Sequence, residues 1–272
     1  MMELFLCNVE EWVKKNIPFW ERKWVFSERL IPRQADMITN PVTLLFGVEL
    51  FQEMVDVGLF LETLQSLLRR KKIAKIVFLS SYGVYAPSTD KSTETDPAHP
   101  KTLLGVRSFV LESFLEFLST RYQIPAVVLR VFNLYGPHQP IPYLVPKVLS
   151  SLISKGTLGI GDVEKVRDFL FISDFWEAVK RVLSMGENRF QVFNLGSGEG
   201  HSIRSLIDVA QKVCGKKSEL LFDASMIREE WDYDFSVADT TKIQRKLEWT
   251  PQVSLEEGIR LTYSWQLGRS GK

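Results

Sequence analysis

A serine at the mouth of a buried strand is the first residue here whose place could do chemistry. Ile76, Val77, Phe78 and Leu79 form a continuous apolar run that ends in Ser80-Ser81. Such a run fits a strand covered on both faces. Gly83 and Pro87 break the chain just beyond it. Side chains at the carboxyl end of a parallel strand point into the crevice where open α/β sheets bind ligands, which makes Ser81 a candidate. The same residues also read as a Ser-rich turn that satisfies backbone groups, and the local pattern leaves both readings open. Cys7 and Cys214 are far apart and lack metal-ligand spacing. His138 has no partner carboxylate in sequence and reads as a loop residue. His201 precedes Ser202, an expected N-cap, and reads as structural.

The residues around Ser81 carry a family resemblance. FLSSYGVYAP resembles the "F-S-S-x-x-V-Y-G" segment of the extended short-chain dehydrogenase/reductases, the NAD-dependent nucleotide-sugar epimerases, dehydratases and reductases. Ser81 falls on that family's catalytic Ser/Thr. The family then places Tyr and Lys four residues apart on the next helix, as Y-G-x-S-K-x-x-x-E. The matching stretch is LGVRSFVLE: Gly105 and Glu112 fit, but Leu104 stands for the Tyr and Ser108 for the Lys. In the family that Tyr is the general acid/base, the Lys on the same helix face lowers its pKa, and Ser/Thr holds the reacting oxygen. Leu104 has no proton to exchange and Ser108 supplies no charge. A relocated acid would fall to Tyr82 or Tyr85, the tyrosines closest to Ser81.

Further on, VFNLYGPHQ resembles "R-x-F-N-x-Y-G-P", and Asn133 matches an Asn that contacts the substrate sugar or diphosphate. GDVEKVRDFLFISD resembles "G-D-G-x-x-x-R-D-F-x-x-V-x-D". There Arg167 matches a phosphate-binding Arg, and Asp168 and Asp174 match architectural positions, Asp174 as a cap for a helix from Phe175. Arg228 falls on a second phosphate-binding Arg, and Asp239, Lys242, Trp249 and Pro251 fit a structural signature. Guanidinium forks suit a diphosphate.

These residues need a scaffold. Glu3 to Cys7 reads as a strand, followed by a helix capped at Asn8 and running to about Asn16. In the family this join is a G-x-x-G-x-x-G turn that lets the backbone approach the cofactor pyrophosphate. Here it is LCNVEEW, without glycine and with two carboxylates. The family implies NAD(P); like charges at this join argue against ordinary dinucleotide binding. A different edge strand with its helix is an equal reading of the stretch. Lys23 to Phe26 and Val42 to Phe46 read as strands, with Ser27 and Glu28 on the surface. The chain has too few residues there for the further strand and helix of the family. Leu50 to Arg70 reads as a helix ending in a solvated RRKK run, Thr102 to Arg121 as a long helix with apolar residues beyond one stripe, Ala126 to Arg130 as a buried strand and Tyr143 to Leu152 as a helix. In the family the two long helices build a dimer bundle.

The resemblance spans about Thr43 to Trp265. It implies an α/β fold with a Rossmann-like, doubly wound parallel sheet, truncated in its N-terminal cofactor half. It also implies a smaller C-terminal lobe that binds substrate. The expected division is 1–140 for the first domain, to which part of 141–200 returns, and 141–272 for the second. The 272 residues are 45% hydrophobic and 25% charged, with formal net charge +1, which gives no nucleic-acid footprint or polybasic membrane surface. No apolar run reaches ~18 residues, and the N-terminus lacks a basic signal-peptide region. The expectation is a reduced, cytoplasmic protein. It would bind a nucleotide sugar or nucleoside diphosphate and dimerise with itself or a family member. Three readings follow: a binding or regulatory subunit without the usual hydride transfer, an enzyme with a relocated acid, and a structural partner of an intact homologue.

Overall fold

The computed structural model describes residues 4–7, 10–17, 24–27, 38, 41–47, 54–141, 143–154, 156–186, 189–223 and 233–270. The chain forms two compact units, each assembled from three separate stretches. The first comprises Met1–Ala86, Glu94–Val131 and Ala178–Asn194; the second comprises Pro87–Thr93, Phe132–Glu177 and Leu195–Lys272.

In chain order the first unit holds strand β1 (Leu4–Cys7), the four-residue helix α1 (Glu11–Lys14), β2 (Trp24–Ser27), β3 (Val42–Gly47) and α2 (Met54–Arg69). It continues with β4 (Ile73–Ser81), a 3₁₀ turn (Tyr82–Val84), α3 (Leu103–Tyr122) and β5 (Ala126–Val131). The second unit supplies β6 (Asn133–Tyr135), α4 (Leu144–Ser154), β7 (Leu158–Ile160) and β8 (Val166–Phe171). Helix α5 (Ile172–Ser184) leads back to the first unit and its strand β9 (Phe190–Leu195). The second unit closes with β10 (Gly200–Ser202), α6 (Ile203–Cys214), β11 (Leu220–Phe222), β12 (Phe235–Ser236), α7 (Thr241–Leu247) and α8 (Leu255–Ser270).

The first unit is a six-stranded sheet in the order β2-β1-β3-β4-β5-β9. β1 pairs in parallel with both β2 and β3, β3 with β4, and β4 with β5. β3 and β5 are buried at every position and β4 at all but Ala74, as strands covered on both faces must be. Their apolar side chains pack with Val57, Phe60, Leu64, Leu67 and Leu68 of α2 and with Leu111, Leu115 and Leu118 of α3. Phe46 stacks on Phe78 at 4.8 Å. β1 is an interior strand, so the edge-strand reading of Leu4–Cys7 is corrected. After β1 the chain turns to β2 on one side, and β3 lies on the other. The strand order reverses there, which makes the carboxyl end of β1 the switch point of the sheet.

Local chemistry explains the element ends. α3 starts where Thr102 accepts the Gly105 N–H at 3.0 Å and stops at Gln123, whose φ of 53° is left-handed. α1 has Glu10 at its N-cap and no side-chain cap; Asn8, the expected cap, lies outside the described residues. Arg69, Arg70 and Lys71 are exposed, as the basic run predicts. Lys75 is buried in β4 and donates to the carbonyls of Val182 and Met185, the orphan acceptors at the end of α5.

In the second unit, β10, β8 and β12 form one sheet, β6 also pairs with β8, and β7 pairs with β11. Ser92 bridges Ala238 in parallel, its N–H donating to Val237 O and its carbonyl accepting from Asp239 N, which ties this loop to the chain just beyond β12. Asp168 is a hub: its carboxylate accepts from the N–H and Oγ of Ser197, and from the N–H groups of Gly198 and Ala238. Asp174 does not cap a helix from Phe175. It lies inside the first turn of α5 and accepts from Gln252 N and Val253 N, fastening the loop before α8. Trp249 is buried and donates to Asp174 O at 3.2 Å. Ser202 caps α6, as expected, by accepting from Ser205 N. Among the described residues no helix is long and apolar enough to cross a membrane.

Candidate functional site

In the first unit the candidates collect where β4 ends. Ser81 is 6% exposed, and its Oγ accepts the Gly83 N–H at 3.1 Å. It therefore caps the 3₁₀ turn, the structural role the sequence left open. Its hydroxyl proton has no acceptor among the described residues, so the group retains a donor for a ligand oxygen. Tyr82 opens the same turn and is half-buried.

Tyr85 is committed elsewhere. Its hydroxyl donates to Asn194 Oδ1 at 2.6 Å, and the Arg130 guanidinium lies 4.7 Å from its ring centre. Burial pushes its phenol up to about 12, against the lowering influence of Arg130 and Asn194. A phenol that holds its proton that firmly is a poor acid near neutrality. Tyr82 is therefore the better of the two candidate acids.

Behind the two serines lies a buried polar chain that motif reading missed. Ser80 Oγ donates to Glu112, and Arg130 grips both Glu112 oxygens, with Nη2 to Oε2 at 2.8 Å. Both charged side chains are nearly sealed from water. The signal was present: an Arg inside the apolar run AVVLRV needs a buried counter-charge. Glu94 extends the chain by accepting the Asn194 N–H at 2.8 Å.

The two substituted positions follow on α3. Leu104 is 37% exposed in the first turn, and Ser108 is fully buried with its Oγ donating to Leu104 O at 2.9 Å. The pair thus holds neither a phenol nor an ammonium, and the serine hydroxyl is spent within the helix.

In the second unit, strand register gathers the substrate candidates. Asn133 pairs with Phe169, two residues beyond Arg167 on β8. Residues two apart on a strand, and residues directly opposed on its neighbour, share one sheet face. Asn133 and Arg167 therefore stand on the same face. Asn133 Nδ2 donates to Asp168 O at 3.1 Å, and Arg167 Nη1 donates to Val166 O at 2.8 Å. Arg228 lies outside the described residues. His138 has a φ of 66° and its ring packs on Trp265 at 4.6 Å, a loop role. Among the described residues no cluster of His, Cys, Asp or Glu could hold a metal ion.

The β1–α1 join does not fit a dinucleotide pyrophosphate. No glycine precedes Gly47. The join stands at the switch point, yet α1 is one turn long and presents Glu10 and Glu11 at its start. Trp12 Nε1 is bonded to the Glu10 carboxylate, and Trp12 and Val13 are buried. A cradle of glycine N–H groups is replaced by bulk and negative charge.

The parallel doubly wound sheet is the fold of the NAD-dependent epimerase/dehydratase superfamily, and the family match and relatives that follow place the chain in it. Within it the chain belongs to the family described as GDP-mannose 4,6 dehydratase, which residues 54–262 match. The dTDP-glucose 4,6-dehydratase of Xanthomonas campestris pv. campestris (strain B100) is 29% identical over 212 residues, covering 73% of this chain and 59% of that protein. A protein of Bacillus subtilis (strain 168) named as an uncharacterized UDP-glucose epimerase, YtcB, is 28% identical over 203 residues, covering 73% of this chain and 63% of its own length. The chain thus spans about three fifths of the length of these curated relatives. Among solved structures, MoeE5 in complex with UDP-glucuronic acid and NAD superposes with a TM-score of 0.82 at 18% identity, over 98% of this chain and 99% of MoeE5. The UDP-glucose 4-epimerase of Thermotoga maritima with UDP-glucose gives 0.80 at 24% identity, over 98% and 92%. At these identities the superpositions establish the fold.

Proposed function

We propose that the chain is a nucleotide-sugar-binding member of its family that does not carry out the usual hydride transfer, and that it works as a binding or regulatory subunit. One observation carries this reading: the acid/base positions are Leu104 and a buried, internally bonded Ser108, while Asn133 and Arg167 still share one sheet face. Losing general acid/base catalysis alone costs ~10²–10⁴ in rate. The glycine-free join supports the same conclusion independently, because it disfavours NAD(P) in the ordinary mode. The relatives named for UDP- and dTDP-sugars support a nucleoside diphosphate as the recognised part of the ligand.

The outer stripe of α3 supports self-association or pairing with a family member. Leu103, Val106, Phe109 and Phe117 are exposed along one side of that helix, opposite the buried stripe of Leu111, Leu115 and Leu118. A second reading, an active enzyme with Tyr82 as acid, is favoured by the available donor of Ser81 next to the half-buried Tyr82.

Thermal unfolding of the full chain tests the proposal. UDP, dTDP or GDP, or the matching sugar nucleotide, should raise the midpoint by mass action, and NAD or NADP at the same concentration should not. Arg167→Ala should lose most of the shift. Micromolar binding of either dinucleotide, or turnover abolished by Tyr82→Phe, would replace this reading with the active-enzyme one.

A further inference from the structure

We infer that His201 and Ser236 form, with Arg167, a single row of donors across three strands that binds the phosphate oxygens of a nucleoside diphosphate. The inference rests on the substrate-pocket reading and adds two residues to it. His201 on β10 lies directly opposite Arg167, and Ser236 on β12 lies directly opposite the same arginine on the other side. Directly opposed residues on neighbouring strands project to one face. The row is therefore imidazole, guanidinium, hydroxyl, each from a different strand and each able to donate a hydrogen bond to an oxyanion. Asn133 stands on that same face.

Ser236 gives the strongest argument. It is 5% exposed and its Oγ finds no hydrogen-bond partner among the described residues. A buried hydroxyl without a partner lowers stability, and alanine would occupy the place without that cost. Its position next to a buried guanidinium suits an oxyanion, which would accept from both. Asp168, the next residue on β8, does not oppose this. It projects to the other face, and its carboxylate is held by the donors of Ser197, Gly198 and Ala238. Glu199 is the acidic neighbour of the imidazole, 3.6 Å from Nε2, with its side chain largely in water.

Calorimetric titration of the full chain with UDP, dTDP, GDP and inorganic pyrophosphate tests the row. Wild type should bind at least one probe. Ser236→Ala should weaken that binding about threefold to tenfold, the worth of one hydrogen bond, while its ligand-free unfolding midpoint stays level or rises. His201→Leu should weaken binding by about tenfold, and His201→Gln, which keeps an N–H donor, should recover part of the loss. If both positions can be changed without effect while Arg167→Ala abolishes binding, the row is wrong and the diphosphate reading stands. A lower ligand-free midpoint for Ser236→Ala would assign the hydroxyl a structural role and overturn its part. Absence of binding by wild type to every probe would remove the substrate-pocket reading and this inference together.

Discussion

Glu112 shows how one residue can be read correctly by spacing and still be misjudged in importance. Its place in the helix motif was legible; its partners were not, because Ser80 and Arg130 come from two strands distant in sequence. Breaking a buried ion pair leaves an uncompensated charge and costs about 3–5 kcal/mol. Glu112→Ala should therefore remove a large share of a stability that is ordinarily ~5–15 kcal/mol, read as a lower denaturant midpoint with an unchanged slope. Tyr85 gives a pH prediction from the same chain. Its folded pKa is raised to about 12 from an ordinary 10.0, so the native state keeps a proton that the unfolded state releases. Its contribution is complete below pH 10 and is lost as pH rises to about 12, a loss on the order of 3 kcal/mol. Tyr85→Phe should flatten that alkaline fall in urea unfolding measured across pH 9 to 12. A parallel fall in the variant would mean other groups cause it.

Among the elements, β4 and α3 meet at two glycines. A Cβ on Gly105 would lie 2.0 Å from Gly83 O, so the first turn of α3 and the turn after β4 approach as only glycine permits. Gly105→Ala must displace backbone and should destabilise by at least about 3 kcal/mol, beyond the ordinary range for overpacking. Gly58 on the outside of α2 meets nothing within 4 Å, and its alanine variant is the matched control, expected to stabilise slightly. The strands were largely legible because buried parallel strands announce themselves as apolar runs; β4 and β5 were placed within a few residues. The interior position of β1 was not, since four residues, Leu4–Cys7, carry no information on which strand lies beside them. Asp174 was misplaced for a related reason. A carboxylate near a helix start looks like a cap, and only the returning loop at Gln252 and Val253 reveals its other use. His201 and Ser236 were invisible as partners of Arg167 because register is a property of pairing, not of spacing.

For the whole molecule, the apolar outer stripe of α3 is the feature that bears on assembly. Phe117 is 56% exposed and Leu103 58%, on the side of the helix away from its core. Sedimentation at micromolar concentration should show a dimer, and Phe117→Lys with Leu103→Lys should shift it to monomer without changing the unfolding transition of the separated chain. A wild-type monomer would turn the stripe into a surface for a different chain or for none. The segmented build of the two units has a consequence for how such a chain can change over generations. Met1–Ala86 is the one long stretch before the chain begins to alternate between units. Insertions, deletions and drift there alter a single unit, whereas a cut anywhere between Pro87 and Asn194 unpicks both. The glycine-free join lies in that first stretch, whereas Leu104, Ser108, Asn133 and Arg167 all lie in the interleaved part. The connections thus bear on changes of chain length rather than of side chain: the first stretch can lengthen or shorten without severing the second unit, while single substitutions such as those at Leu104 and Ser108 leave every connection intact.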